Sequence, residues 1–214
     1  MILLTAAKMP DGLDKNTLAN AVRLMFPNPD NNTYISEIQN RSNDTSACES
    51  LFALALMYDL LSSLLCPPPN TSDLIFSRTE NGKPYFANSS IKFNLSHSKG
   101  YVACAVSDGE ELGIDIEASL LTQDRARKLA DRYFIPSEAD YVSSHPEAFV
   151  RLWCEKEAAA KFFGESVGNI LSKNKIAGSN NQNANLRFHN FSINEIPIIL
   201  CTKRDYSTIY FINQ

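Results

Sequence analysis

Residues 92–117 read KFNLSHSKGYVACAVSDGEELGIDIE. Two β-rich runs, Lys92–Leu95 and Tyr101–Ser107, bracket a polar loop. Asp108-Gly109 then makes a turn into a further strand over Leu112–Glu117. Short strands joined by short connections pair antiparallel. On the last strand successive side chains alternate faces. Ile114 and Ile116 therefore enter a core, and Asp115 and Glu117 share the opposite face.

Working upstream, Leu74–Arg78 and Pro84–Phe86 are two more strands about an Asn81-Gly82 turn. Residues 46–65 form the clearest helix. Ser46 with Glu49 three positions on is a capping-box pattern. Leu51, Leu54, Ala55, Tyr58, Leu61 and Leu65 recur at helical spacing, and Pro67, Pro68 and Pro69 end the run. The Asn-, Asp- and Ser-rich stretch 28–45 reads as loop. A helix spans Asp14–Phe26, stopped by Pro27, and residues 2–7 open the chain as a strand.

Downstream, residues 122–134, 137–143 and 146–163 are helical, and 178–185 is a solvated loop. Residues 186–193, 196–202 and 207–212 form a closing β-meander. The class is α/β in the α+β sense: two halves, 1–108 and 109–214, each with helices first and a small antiparallel sheet after. The likeness between halves lies in element order only.

The chain has 214 residues, 44% apolar and 21% charged, which is globular composition. A net charge of −4 argues against a general nucleic-acid binder. Leu51–Cys66 is broken by Asp59, Ser62 and Ser63 and is too short to span a bilayer. No positive region precedes the apolar start, so no signal peptide is expected. Cysteines stand at 48, 66, 104, 154 and 201 without a Cys-x-x-Cys pair, as free thiols do in a reducing, cytoplasmic setting.

Four clusters carry chemistry. Asp115 and Glu117, side by side on a strand, repel unless a cation or proton lies between them, and a hard divalent ion suits oxygen ligands. Read alone, they are equally two surface acids. On helix 146–163, Trp153, Glu157 and Lys161 are spaced by four and form one stripe, with Lys156 beside it. Glu157 and Lys161 alone are an ordinary i,i+4 pair. Asn94-Leu95-Ser96-His97-Ser98-Lys99-Gly100 offers hydroxyl, imidazole and amide donors to a phosphate. No third partner makes Ser96 and His97 a hydrolase triad. Asn81-Gly82-Lys83-Pro84 is a β-turn with a lysine, open to close ligand approach.

Taken in order, Asn81-Gly82-Lys83-Pro84, Phe93-Asn94-Leu95-Ser96-His97-Ser98, Leu112-Gly113-Ile114-Asp115-Ile116-Glu117 and Trp153-Cys154-Glu155-Lys156-Glu157-Ala158-Ala159-Ala160-Lys161 closely resemble the 4′-phosphopantetheinyl transferases, in their long, surfactin-type branch. Tyr133-Phe134 with Glu138 matches the same branch. The specific likeness covers residues 81–164. It implies a monomeric pseudo-dimer with coenzyme A between its halves. It also implies transfer of the phosphopantetheine arm to a serine of an apo acyl or peptidyl carrier protein, with release of 3′,5′-ADP. Asp115, Glu117 and Glu157 would hold Mg²⁺. Glu157, directly or through a metal-held water, would take the serine proton. Lys161 would stabilise the phosphates and protonate the leaving one, and Lys156 would contact phosphate. Ser96 and His97 match the 3′-phosphate end, and Gly82 and Lys83 the adenine side.

The chain departs from that pattern in its N-terminal third. Residues 1–75 hold only Lys8, Lys15, Arg23 and Arg41 as cations against eight acids. Tyr58 stands near the place of the long helix's usual Arg, which leaves Arg41 as the candidate for the 3′-phosphate. Gly164-Glu165-Ser166 replaces a Gly-Lys-Gly. Two alternatives follow: a coenzyme A or carrier-protein binding module without turnover, and a metal-dependent phosphodiesterase or nuclease, which the acidic balance disfavours. A carrier surface is commonly acidic, which makes Arg125, Arg127, Lys128 and Arg132 the local docking candidates.

Overall fold

The computed structural model describes residues 1–64, 68–172, 186–203 and 208–213. In chain order the elements are β1 (Ile2–Lys8), α1 (Lys15–Met25), α2 (Asn31–Gln39), α3 (Asp44–Leu64), β2 (Phe76–Arg78) and β3 (Pro84–Phe86). They continue as β4 (Lys92–Ser98), β5 (Tyr101–Ser107), β6 (Leu112–Ile116), α4 (Gln123–Tyr133), α5 (Pro136–Ser144) and α6 (Ala148–Phe163). The last are α7 (Val167–Ser172), β7 (Arg187–Ile193), β8 (Ile196–Thr202) and β9 (Ile209–Asn213). The expected α+β class, small sheets packed with helices, is what the chain forms.

Two sheets lie face to face. One is four-stranded in the order β4-β5-β1-β9, the other three-stranded in the order β6-β8-β7. β2 and β3 form a separate ribbon. Both faces of β1 and β5 are covered, which is why residues 2–7 do not alternate in polarity. Leu3, Ala7, Val102, Cys104 and Val106 pack toward α1, α2 and α3. Ile2, Leu4, Ala6, Ala103 and Ala105 meet Leu112, Ile114, Ile116, Ile198 and Leu200 of the second sheet. The far face of that sheet takes α6 through Ile199, Cys201, Cys154, Ala158 and Ala159.

Four sequence expectations are corrected. The stretch 28–45 contains α2. Its apolar Tyr34, Ile35 and Ile38 are buried, and Asn31 is tied to β2 by accepting from the Phe76 amide at 2.8 Å and donating to the Leu74 carbonyl at 2.9 Å. Helix α3 starts earlier, and Asn43 rather than Ser46 caps it, accepting from the Ser46 amide at 2.9 Å. Residues 96–98 are strand, not loop: β4 pairs with β5 from Lys92↔Ser107 to Ser98↔Tyr101. The hairpin turns only at Lys99 and Gly100, with φ of 49° and 82°. The final strands are not one meander, because β7 and β8 pair with each other while β9 runs parallel to β1. The loop expected at 178–185 lies outside the described residues. Among those described, no helix is long and apolar enough to cross a membrane, and Cys48, Cys104, Cys154 and Cys201 are free and buried.

Gly113 sets how closely α6 approaches β6. A Cβ there would stand 2.0 Å from the Ala158 carbonyl oxygen and 2.4 Å from the Phe162 nitrogen. Both are backbone atoms that cannot swing aside. Gly113→Ala is therefore expected to destabilise the fold by about 3 kcal/mol, the upper end of ordinary overpacking costs. Urea unfolding would read it as a lowered midpoint, and an unchanged midpoint would show that α6 is free to slide.

Candidate active site

β4 and β6 belong to different sheets, and side chains join them. The amides of Ile114, Ile116 and Ala118 donate to Asn94 Oδ1 at 2.8 Å, Ser96 Oγ at 3.3 Å and Ser98 Oγ at 3.1 Å. Alternate residues of one strand thus satisfy alternate amides of the other, as a strand's period of two allows. Ser96 also donates to Asp115 Oδ1 at 2.8 Å, and Ser98 to Glu117 Oε1 at 2.7 Å. Sequence reading gave Asn94 and Ser98 to a phosphate-holding cluster and did not place them on this seam. The signal was an Asn-x-Ser-x-Ser alternation, hidden once the segment was taken for a loop.

Helix α6 brings the other charges. Trp153, Glu157 and Lys161 share one face, as the spacing predicts, and line one hollow with Asp115 and Glu117 of the β6 segment. Trp153 stacks with Phe134 and Phe149 and meets Tyr133 edge-on. Lys161 Nζ lies 2.7 Å from both Asp115 Oδ1 and Ser96 Oγ. A hollow of about 350 Å³ gathers Ser96, His97, Asp115, Glu117, Trp153, Glu157 and Lys161 on its walls. Among the described residues, Glu157 has no hydrogen bond or ion pair. Burial, and next the Asp115 charge, push its carboxyl up to about 7, although Lys161 opposes them. At Glu117 burial acts in the same sense, but hydrogen bonds from Ser98 and Ser119 outweigh it and hold that carboxyl below the ordinary range. Among the described residues, no three His, Cys, Asp or Glu side chains are gathered closely enough to enclose a metal ion.

His97 leans toward α3. Its Nδ1 is 2.8 Å from Glu49 Oε2 and its Nε2 is 3.1 Å from Ser50 Oγ. Arg41 Nη1 donates to the same Ser50 hydroxyl at 2.8 Å. Glu49 Oε1 accepts from the Gly100 amide at 2.5 Å. Burial holds the His97 imidazole below its usual pKa, against the pull of Glu49. These contacts fit a neutral ring that donates to Glu49 and accepts from Ser50. Arg41 and His97, from distant segments, are thus brought together. Glu49 and Ser50 were missed, Glu49 because it had been read as a capping residue.

The other predicted residues separate. Gly82, at φ +85°, turns the chain back on Thr79. Lys83 reaches Glu111 at 3.0 Å and the Leu112 and Phe162 carbonyls, each at 3.3 Å. It lines an open groove of about 710 Å³ with Asn81, Tyr85, Lys92, Phe162 and Phe163. Asn81 donates to the Gly164 carbonyl at 2.9 Å, which ties this turn to the end of α6. Lys156 stands outside both hollows. It is 4% exposed, its ammonium 2.7 Å from Glu138 and 4.8 Å from the Phe134 ring centre. In this arrangement its partners are Glu138 and the Phe134 ring.

Comparison with known proteins bears on this arrangement. A model of the 4′-phosphopantetheinyl transferase superfamily matches residues 111–208. The 4′-phosphopantetheinyl transferase AcpT of Escherichia coli is 36% identical over 140 residues, 63% of this chain and 69% of that protein. AcpT of Salmonella typhimurium is 40% identical over 119 residues, 53% of this chain and 59% of that protein. HetI of Nostoc sp., another 4′-phosphopantetheinyl transferase, is 36% identical over 104 residues, 44% of each chain. The chain thus spans between about two fifths and two thirds of the length of these curated relatives. With the aligned identity reaching over two thirds of the Escherichia coli protein, the chain belongs to the 4′-phosphopantetheinyl transferase superfamily.

Proposed function

We propose that this protein transfers the 4′-phosphopantetheine arm of coenzyme A to a serine hydroxyl of an apo acyl or peptidyl carrier protein, with Mg²⁺, releasing 3′,5′-ADP. The observation that carries the reading is Glu157. A half-buried carboxylate without a hydrogen-bond or ion-pair partner among the described residues, in one hollow with Asp115, invites a proton or a cation.

By their chemistry the donors suit Mg²⁺, being oxygen ligands only: Asp115, Glu117 and Glu157 line one hollow, and they would have to draw together to enclose the ion. When bound, the ion would offset the negative charge of the pyrophosphate. It would compete with Lys161 for Asp115. The remaining chemistry belongs to side chains. The carrier serine oxygen bonds to the phosphorus that bears the pantetheine arm, and the bond from that phosphorus to 3′,5′-ADP breaks. Glu157 would accept the serine proton. Lys161 stabilises charge on the phosphates and donates to the departing one. Arg41 and His97 would receive the 3′-phosphate, and the groove beside Gly82 and Lys83 the adenine. Ser96, already bonded to Asp115, Lys161 and the Ile116 amide, acts by holding these groups.

A carrier docks best beside the hollow. An apolar cleft of about 300 Å³ there is lined by Leu121, Leu129, Tyr133, Phe149 and Trp153. Leu120, 92% exposed, lies in the chain between two lining residues, Ser119 and Leu121. Arg125, Lys128 and Arg132 are exposed on α4, whereas Arg127 is engaged by Ser143 and Asp124.

Three outcomes test this reading. Incubation with coenzyme A, Mg²⁺ and an apo carrier should add the mass of one phosphopantetheine to the carrier. Glu157→Gln should lower that rate roughly 10²–10³-fold, the usual cost of one transition-state contact, without unfolding the chain. Coenzyme A binding with no mass gain would favour a binding module instead.

The proton on Glu157 sets the second. The folded pKa lies near 7, above the ordinary 4.5. The cation-free fold should therefore lose stability as pH rises through that window, because the unfolded chain releases its proton first. Mg²⁺ should bind more tightly as pH rises toward 7, by on the order of tenfold per unit while one proton competes. Calorimetry at pH 6 and 8 showing equal affinity would contradict a protonated Glu157.

The third concerns docking. Leu120→Asp should raise KM for the carrier severalfold and leave KM for coenzyme A unchanged. A change in the coenzyme A value alone would place the carrier elsewhere.

A further inference from the structure

The hydroxyl of Ser98 has its one proton assigned by geometry. Its Oγ accepts from the Ala118 amide at 3.1 Å. The proton is then left for Glu117 Oε1, 2.7 Å away. The Ser119 amide donates to that same oxygen, also at 2.7 Å. Two donors therefore converge on Oε1, and among the described residues Oε2 has no hydrogen bond. Such an arrangement fixes how a carboxylate turns. Glu117 lies just past the end of β6; its backbone amide donates to the Pro197 carbonyl of β8 at 3.4 Å, and among the described residues the hydrogen bonds that hold its side chain come from Ser98 and Ser119.

We propose that Ser98 is a positioning residue for a divalent-cation site: anchored by the Ala118 amide, its hydroxyl holds one oxygen of Glu117 and leaves the other for the hollow shared with Asp115 and Glu157. This rests on reading that hollow as a cation site. Ser96 repeats the device at Asp115, accepting from the Ile116 amide, but there Lys161 shares both the hydroxyl and the carboxylate. Ser98 lacks that overlap and is the cleaner test. Groups that orient a metal ligand commonly contribute 10- to 100-fold in metal affinity.

The test is titration of the full chain with Mn²⁺ alone, free ion followed by paramagnetic resonance, beside a urea unfolding curve. Ser98→Ala should weaken Mn²⁺ binding by about 10- to 100-fold. Ser98→Thr, which keeps the hydroxyl, should stay close to the wild type. If Ser98→Ala does not fold, Ser98→Cys serves, since it keeps the volume with a weak donor and should show the same loss. A lowered urea midpoint with wild-type Mn²⁺ affinity would overturn the inference and leave Ser98 as a strand tie only. Failure of the wild type to bind Mn²⁺ would instead overturn the cation reading beneath it.

Discussion

Backbone touches backbone where α6 crosses β6 at Gly113, and the charges of the site follow from that contact. On that helix Lys161 reaches Asp115 at 2.7 Å, and Glu157 lines the same hollow. With the helix drawn in, an ammonium, an aspartate and a glutamate unpaired among the described residues share one hollow. Folding alone does not favour such a cluster, because burial penalises charge and like charges repel. A ligand of opposite charge entering the hollow would offset that cost.

The two sheets meet at a seam that carries both structure and chemistry. Asn94, Ser96 and Ser98 give β6 the acceptors that a neighbouring strand's carbonyls would otherwise supply. In doing so they aim hydroxyls at Asp115 and Glu117. On the same strand His97 turns to α3, where Glu49, Ser50 and Arg41 hold it. One strand therefore connects the acidic end of the site to its basic end. Arg41 shows how a chain poor in N-terminal cations still presents one beside His97: it is placed by tertiary contact rather than by a run of basic residues.

Much of this was legible in the residues. The stripe Trp153, Glu157, Lys161 follows from helical spacing, and the opposed faces of Ile114 and Asp115 from strand spacing. The class followed from short strands between strong helices. What escaped was set by tertiary context. Residues 96–98 are polar because they serve a second sheet, and polarity alone reads as loop. Helix α2 has weak local preference and is held by burial of Tyr34, Ile35 and Ile38. Glu49 satisfies a capping pattern by sequence, yet its partners are His97 and Gly100, about fifty residues away. Lys156 looks free beside the stripe, and only the fold shows Glu138 and Phe134 closing over it. The parallel pairing of β9 with β1 joins opposite ends of the chain, which no local pattern encodes.

The central claim is that Asp115, Glu117 and Glu157 serve one divalent ion. Crystals soaked in Mn²⁺ and measured for anomalous scattering test it most directly. The account predicts a single strong peak among those three carboxylates, with Lys161 withdrawn from Asp115. A map with no peak there, and the Lys161–Asp115 pair intact, would contradict it.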